Sequence, residues 1–132
     1  MDMPRKILML VVAVLASSVH VLAQHMNEKD SPCADVAVTA DLAKCLIKAR
    51  DAADVQLNAV YTDLRGKLDA ADQQRLIATQ RLWIQYRDAN CTAERELYTG
   101  GTAAPPAYLA CLEAMTRARA KELKITYTFR LK

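Results

Sequence analysis

The chain has 132 residues, 52% of them hydrophobic, with 18 basic against 15 acidic side chains and a formal net charge of +3. This length suits one small domain. The basic residues are interleaved with acidic ones and no basic run stands alone, which argues against a nucleic-acid-binding surface.

The chain opens with Arg5 and Lys6, continues through an apolar stretch from Ile7 to Val14 and on to Val19, and reaches Val21-Leu22-Ala23. This is the pattern of a secretory signal peptide over residues 1–23, cleaved before Gln24. The apolar run is too short for stable membrane insertion, and no Cys follows Ala23 to carry a lipid anchor. The exported domain is then 24–132, with a periplasmic or secreted destination. All four cysteines, Cys33, Cys45, Cys91 and Cys111, lie in that part. An even count in a small exported domain reads as two disulfides. No pair has the C-x-x-C spacing of a zinc site, so no metal is expected.

Residues 24–38 form a polar leader with Ser31-Pro32-Cys33 at a capped turn, expected to be loose and pinned at Cys33. Thr39-Ala40-Asp41 then supplies a capping residue and a first-turn carboxylate. The helix that follows carries Leu42, Leu46, Ala49, Ala53, Leu57, Val60, Leu64 and Leu68 on one continuous stripe. About 30 residues at 1.5 Å each make it roughly 45 Å long, so it needs neighbours lying alongside. Gly66 weakens its end, and Asp69 caps a second helix that runs to about Tyr98. Thr99-Gly100-Gly101-Thr102 and the pair Pro105-Pro106 break the chain again. A third helix from about Pro106 places Tyr108, Leu112, Met115, Arg119, Leu123 and Thr126 on its inward stripe and frays near the C-terminus. Short connections place successive helices side by side, so the expected fold is all-α: an antiparallel, up-down-up three-helix domain stapled by two disulfides.

In an antiparallel hairpin, residues at one height have position numbers of constant sum, set by the turn. A first turn centred on residues 66–72 puts Asp54 level with Arg87, Tyr61 with Gln80, and Asn58 with Trp83. Asp54, Asn58 and Tyr61 thus become partners for the polar groups that share the Trp83 face. Arg119 falls near the same height, where its guanidinium can stack on the indole. These seven residues read as a polar network that locks helix register rather than as a catalytic or ligand site. A second turn centred on residues 99–106 puts Cys91 level with Cys111, leaving Cys33 to pair with Cys45. Cys45, Cys91 and Cys111 all fall at one end of the bundle, so Cys45 with either of the others is the competing arrangement.

The exported part holds one His, His25, in the leader, and one Ser, Ser31. No nucleophile and base pair emerges. Glu94, Glu96, Glu113 and Glu122 share their helix surfaces with Arg95, Arg117 and Lys121 and read as a solvated face. No catalytic residue and no cofactor is expected, which leaves a binding or inhibitory module.

A set of motifs narrows this further: Asp54-x-x-Leu57-Asn58-x-x-Tyr61, then Gln80-Arg81-x-Trp83-Ile84-x-Tyr86-Arg87-Asp88-Ala89-x-Cys91, then Cys111 with Thr116-x-x-Arg119 and Glu122-Leu123. Over Cys33 to about Leu123 the chain resembles the LprI-like family of bacterial envelope proteins. The resemblance implies a lysozyme-inhibitor-like protein at the periplasm or cell surface whose partner is a muramidase. The loop between the second and third helices is the segment best suited to enter an enzyme cleft: Thr99, Gly100, Gly101 and Thr102, with Tyr98 and Tyr108 as aromatic anchors. An envelope interaction or immunity-type module that leaves lysozyme untouched is the alternative, and a binder of peptidoglycan fragments a third reading.

Overall fold

The computed structural model describes residues 25–131; the expected signal peptide lies outside them. A short 3-10 turn, His25–Asn27, precedes three helices: α1, Thr39–Lys67; α2, Ala70–Glu96; and α3, Ala104–Tyr127. Among the described residues there is no strand.

The long stripe of α1 is the core-facing one. Leu46, Ala53, Leu57, Val60 and Leu64 are buried, and Leu68 continues the stripe just past the helix end. The start of α1 differs from expectation. Val38 is the N-cap residue with no side-chain cap bond, and Thr39 is already helical; the Val38 carbonyl accepts from the Leu42 amide at 2.8 Å. Asp69 does cap α2, its Oδ1 accepting from the Asp72 amide at 2.9 Å. The third helix begins at Ala104, two residues before expectation, with the proline pair in its first turn. Prolines are tolerated there because first-turn amides have no intrahelical acceptor.

The buried face of α3 is broader than the expected stripe and displaced from it. Ala107, Ala110, Ala114 and Ala120 are buried with Cys111, Leu112, Glu113, Thr116 and Leu123, whereas Tyr108, Met115 and Arg119 are half-buried and Thr126 is exposed. The reason is that α3 is central: α1, α2 and the N-terminal turn all pack against it. Its alanines permit close approach of backbones, and α1 uses that approach, while α1 and α2 themselves barely meet at the backbone.

Contacts along the helices give their relative direction. Arg130, Arg119, Thr116 and Cys111 meet Asp72, Gln80, Arg87 and Cys91 respectively, so position falls on one side as it rises on the other. Against α1 the order is the same on both sides: Leu46 clusters with Ala110, and Leu57 to Leu68 cluster with Ala120 and Leu123. The two disulfides are Cys33–Cys45 and Cys91–Cys111, with Cα separations of 6.0 Å and 5.4 Å. A loop of either size stabilises the fold by about 3 kcal/mol through lost unfolded-state entropy.

The leader is docked rather than loose. The His25 ring Nδ1 lies 2.6 Å from Glu94 Oε2, and the His25 amide donates to Glu94 Oε1 at 3.3 Å. Arg117 bridges the leader's Glu28 at 3.4 Å and Glu113 at 2.8 Å. Glu94 and Glu113 are consequently buried, at 8% and 2% exposure, instead of lying on a solvated face. Sequence periodicity assigned them to the surface because their partners arrive from a distant segment, and a paired carboxylate tolerates burial that a lone one does not.

Candidate functional site

Trp83 sits midway along α2, half-buried against the larger apolar cluster. The Arg87 guanidinium lies over its ring at 5.2 Å and that of Arg119 at 5.7 Å. Two cations on one indole are held apart from simple repulsion by their other partners. Arg87 donates through Nη1 to the fully buried Thr116 hydroxyl at 3.2 Å and through Nε to Asp88 at 2.9 Å. Arg119 donates through Nε to Gln80 Oε1 at 3.1 Å and pairs with Glu122 at 2.9 Å. Asp54 reaches Arg87 at 3.6 Å, but its side chain is 45% exposed. At that exposure the ion pair is worth at most about 1 kcal/mol, so the anchor of Arg87 is Thr116 rather than Asp54. Asn58 is exposed and Tyr61 half-buried; both line a cleft with Gln80 instead of bonding to it. Trp83, Arg87, Arg119 and Gln80 are thus brought together around the indole, while Asp54, Asn58 and Tyr61 stand at its margin.

The connection between α2 and α3 has a different character. Leu97, 76% exposed, and Thr99, Gly100, Gly101 and Thr102 project at the end of the bundle. The segment is shaped by local bonds: the Tyr98 amide donates to Arg95, Thr99 to Glu96, and Gly101 to Tyr98 at 3.0 Å. Gly100 has φ +85°, which a side chain at this position would strain. Tyr98 turns inward, and its hydroxyl is buried without a hydrogen-bond partner among the described residues. Tyr108, at the far side of the loop, lies half-buried beneath the Arg95 guanidinium at 5.3 Å. Arg95 has no carboxylate partner among the described residues, so a cation does stand at the base of this loop. The register that aligns Cys91 with Cys111 also aligns Arg95 with Tyr108, and that signal was available in the sequence.

The imidazole of His25, the carboxylate of Glu94 and the sulfur of Cys111 lie close enough together to suggest metal ligation. Cys111 is oxidised to a disulfide with Cys91, and a disulfide sulfur lacks the thiolate charge that ligation needs. The cluster is better described as the His25–Glu94 contact resting on the disulfide.

At the opposite end of the bundle, Asp72 accepts from Arg75 Nη1 at 2.6 Å and from Arg130 Nε at 2.9 Å. These hydrogen bonds, that of Arg130 foremost, hold its carboxyl below the usual range. They also tie the C-terminal residues to the start of α2.

Comparison with known proteins gives two findings and one absence. A family model described as "Lysozyme inhibitor LprI" matches residues 31–123. An uncharacterized protein of Rhizobium meliloti (strain 1021) is 34% identical over 111 residues, covering 74% of this chain and 80% of the relative. No solved structure matches. The matched segment runs from the Ser31 turn through both disulfides to Leu123 at the foot of the apolar cluster, and the chain belongs to the lysozyme inhibitor LprI family.

Proposed function

We propose that the chain is an exported inhibitor that blocks a muramidase in the periplasm or outside the cell by protein–protein binding, without chemistry of its own. The observation that carries this reading is the family match across residues 31–123. The end of the bundle with residues 97–103 is the surface assigned to the enzyme. It combines an exposed apolar side chain, Leu97, a backbone that Gly100 turns sharply, and a guanidinium, Arg95, held over Tyr108 without a carboxylate partner among the described residues. Glycoside hydrolases present a pair of carboxylates in their cleft, and a planar cation is the side chain suited to meet them. With a formal charge of +3 the protein gains no long-range attraction to a basic enzyme. Affinity then rests on a few anchors at short range, Arg95 and Leu97 with Tyr98 and Tyr108 supporting them.

Purified exported chain should slow lysis of peptidoglycan by a susceptible lysozyme with a saturable, one-to-one dose response. Replacing residues 100–104, or substituting Arg95→Gln, should weaken the effect without lowering thermal stability appreciably. Absence of inhibition across several lysozyme classes would overturn the reading.

A further inference from the structure

Because α1 and α2 each pack on α3 but barely approach one another, an open cleft of about 330 Å³ remains between them in the half of the bundle away from the disulfides. Tyr61 and Arg65 border it from α1; Ile77, Gln80, Arg81 and Ile84 border it from α2. Six of the nine arginines among the described residues sit in ion pairs. Arg65 and Arg81 do not, and both line this cleft. Arg65 is held over the Tyr61 ring at 5.6 Å, an arrangement that directs a guanidinium without neutralising it.

The uncharged groups are equally specific. Gln80 is 8% exposed, and its carbonyl oxygen is committed to Arg119. Since arginine can only donate, the carboxamide orientation is settled, and the end left without a partner among the described residues is the amide nitrogen. The Asn58 carboxamide, also on the cleft, has no partner there either. Ile77 and Ile84 supply an apolar wall.

We propose that this cleft binds a small carboxylate that also carries an amide group and an apolar body. The carboxylate takes the guanidiniums of Arg65 and Arg81, for which a planar fork is the matching geometry. The amide is met by Asn58 and Gln80, and the body lies along Ile77, Ile84 and the Tyr61 ring. Inorganic phosphate would satisfy the arginines but has nothing to fill the apolar wall. The volume is at the lower end of small-molecule sites. Two ligand sources share this chemistry, the C-terminus of a short N-acylated peptide and an N-acetylated acidic sugar. The proposal does not depend on muramidase binding, which is assigned to the other end of the bundle.

The test is a titration of the full exported chain, disulfides intact, followed by amide resonances including the side-chain NH₂ groups of Asn58 and Gln80. Probes are N-acetyl-alanyl-alanine, the same dipeptide with its C-terminus amidated, N-acetylmuramic acid, and inorganic phosphate. Saturable shifts centred on the cleft with the free dipeptide or with the sugar support the proposal, and whichever binds names the source. Arg65→Gln combined with Arg81→Gln should weaken that binding by about tenfold or more, while Lys121→Gln with Lys124→Gln, an equal loss of charge elsewhere, should not. Arg65→Lys with Arg81→Lys keeps the charge, removes the fork and should also bind more weakly. Equal binding of the amidated dipeptide or of phosphate, equal effects of the arginine-to-glutamine and lysine-to-glutamine pairs, or no saturable shift below about 10 mM would each overturn it.

Discussion

The two ends of this bundle are held together by different physics. At the end bearing the α2–α3 connection the buried side chains are small: Cys33, Ala107, Ala110, Cys91 and Cys111, with Leu46 and Leu112 as the larger members. Alanine and cysteine bury little apolar area, and that end is closed instead by two disulfides and by the buried carboxylates of Glu94 and Glu113 with their partners His25 and Arg117. At the other end Leu57, Val60, Leu64, Leu68, Leu76 and Leu123 form a continuous apolar cluster flanked by Trp83, Tyr61 and Tyr127, with no covalent link. The contrast teaches that a small domain need not distribute its cross-links evenly. They stand where hydrophobic burial is weakest.

Reduction is the most direct way to break this contrast. Reducing both disulfides should lower stability by about 3 kcal/mol for each. In denaturant melts the midpoint should fall strongly, and amide exchange should rise first near Cys91, Cys111 and the leader. Uniform loss of protection along α1 and α3 would mean that the ends are not energetically distinct. The next largest effect is expected from Leu76→Ala at the apolar end. Leu76 is fully buried, so the cavity should cost about 2–5 kcal/mol, and the loss should persist in the reduced protein.

A smaller change sharpens the comparison by improving the disulfide end. The Tyr98 hydroxyl is buried without a partner among the described residues. Leaving such a group unsatisfied costs about 1–3 kcal/mol, so Tyr98→Phe should leave stability unchanged or raise it by up to about 1 kcal/mol in a thermal melt. A clear loss would mean that the hydroxyl has a bonding partner after all.

The smallest expected effect is local and set by pH. Hydrogen bonds from Arg130 and Arg75 depress the Asp72 carboxyl in the folded state. A depressed carboxylate contributes stability that is fully present above the unfolded value near 3.9 and is lost as pH falls through the lowered folded value. Protection of the amides of residues 128–131, taken relative to the intrinsic exchange rate at each pH, should therefore fall below about pH 4, before global unfolding, and Asp72→Asn should remove that pH dependence. Unchanged protection down to the global acid transition would contradict it.

Much of this arrangement was legible in the sequence, and the part that was not has an identifiable cause. The α1 stripe could be read because Leu46, Leu57 and Leu64 recur with the helix period on an element that buries one face. The turn-centred register put Cys91 opposite Cys111, Arg87 beside Asp54, and Arg119 over Trp83, since rigid helices joined by short turns carry alignment over many residues. The same reasoning failed for α3, which has neighbours on three sides, so that an amphipathic stripe is the wrong template. It failed again for Glu94 and Glu113. Their burial depends on His25, Glu28 and Arg117 meeting across the chain, and no local periodicity encodes that meeting. Arg95 was absent from the expected loop surface because it stands on the last turn of α2 rather than in the connection itself.

The docking of His25 on Glu94 fixes where the polypeptide enters the molecule. The first described residues lie beside the α2–α3 connection, and Arg130 is bound to Asp72 at the opposite pole. The two ends of the described segment therefore offer handles of opposite sense. A tether attached at the His25 end turns the 97–103 surface toward the support and presents the α1–α2 cleft outward. A tether attached at the Arg130 end does the reverse. A surface-binding experiment in both orientations would thus assign any partner to one pole or the other without changing a single side chain.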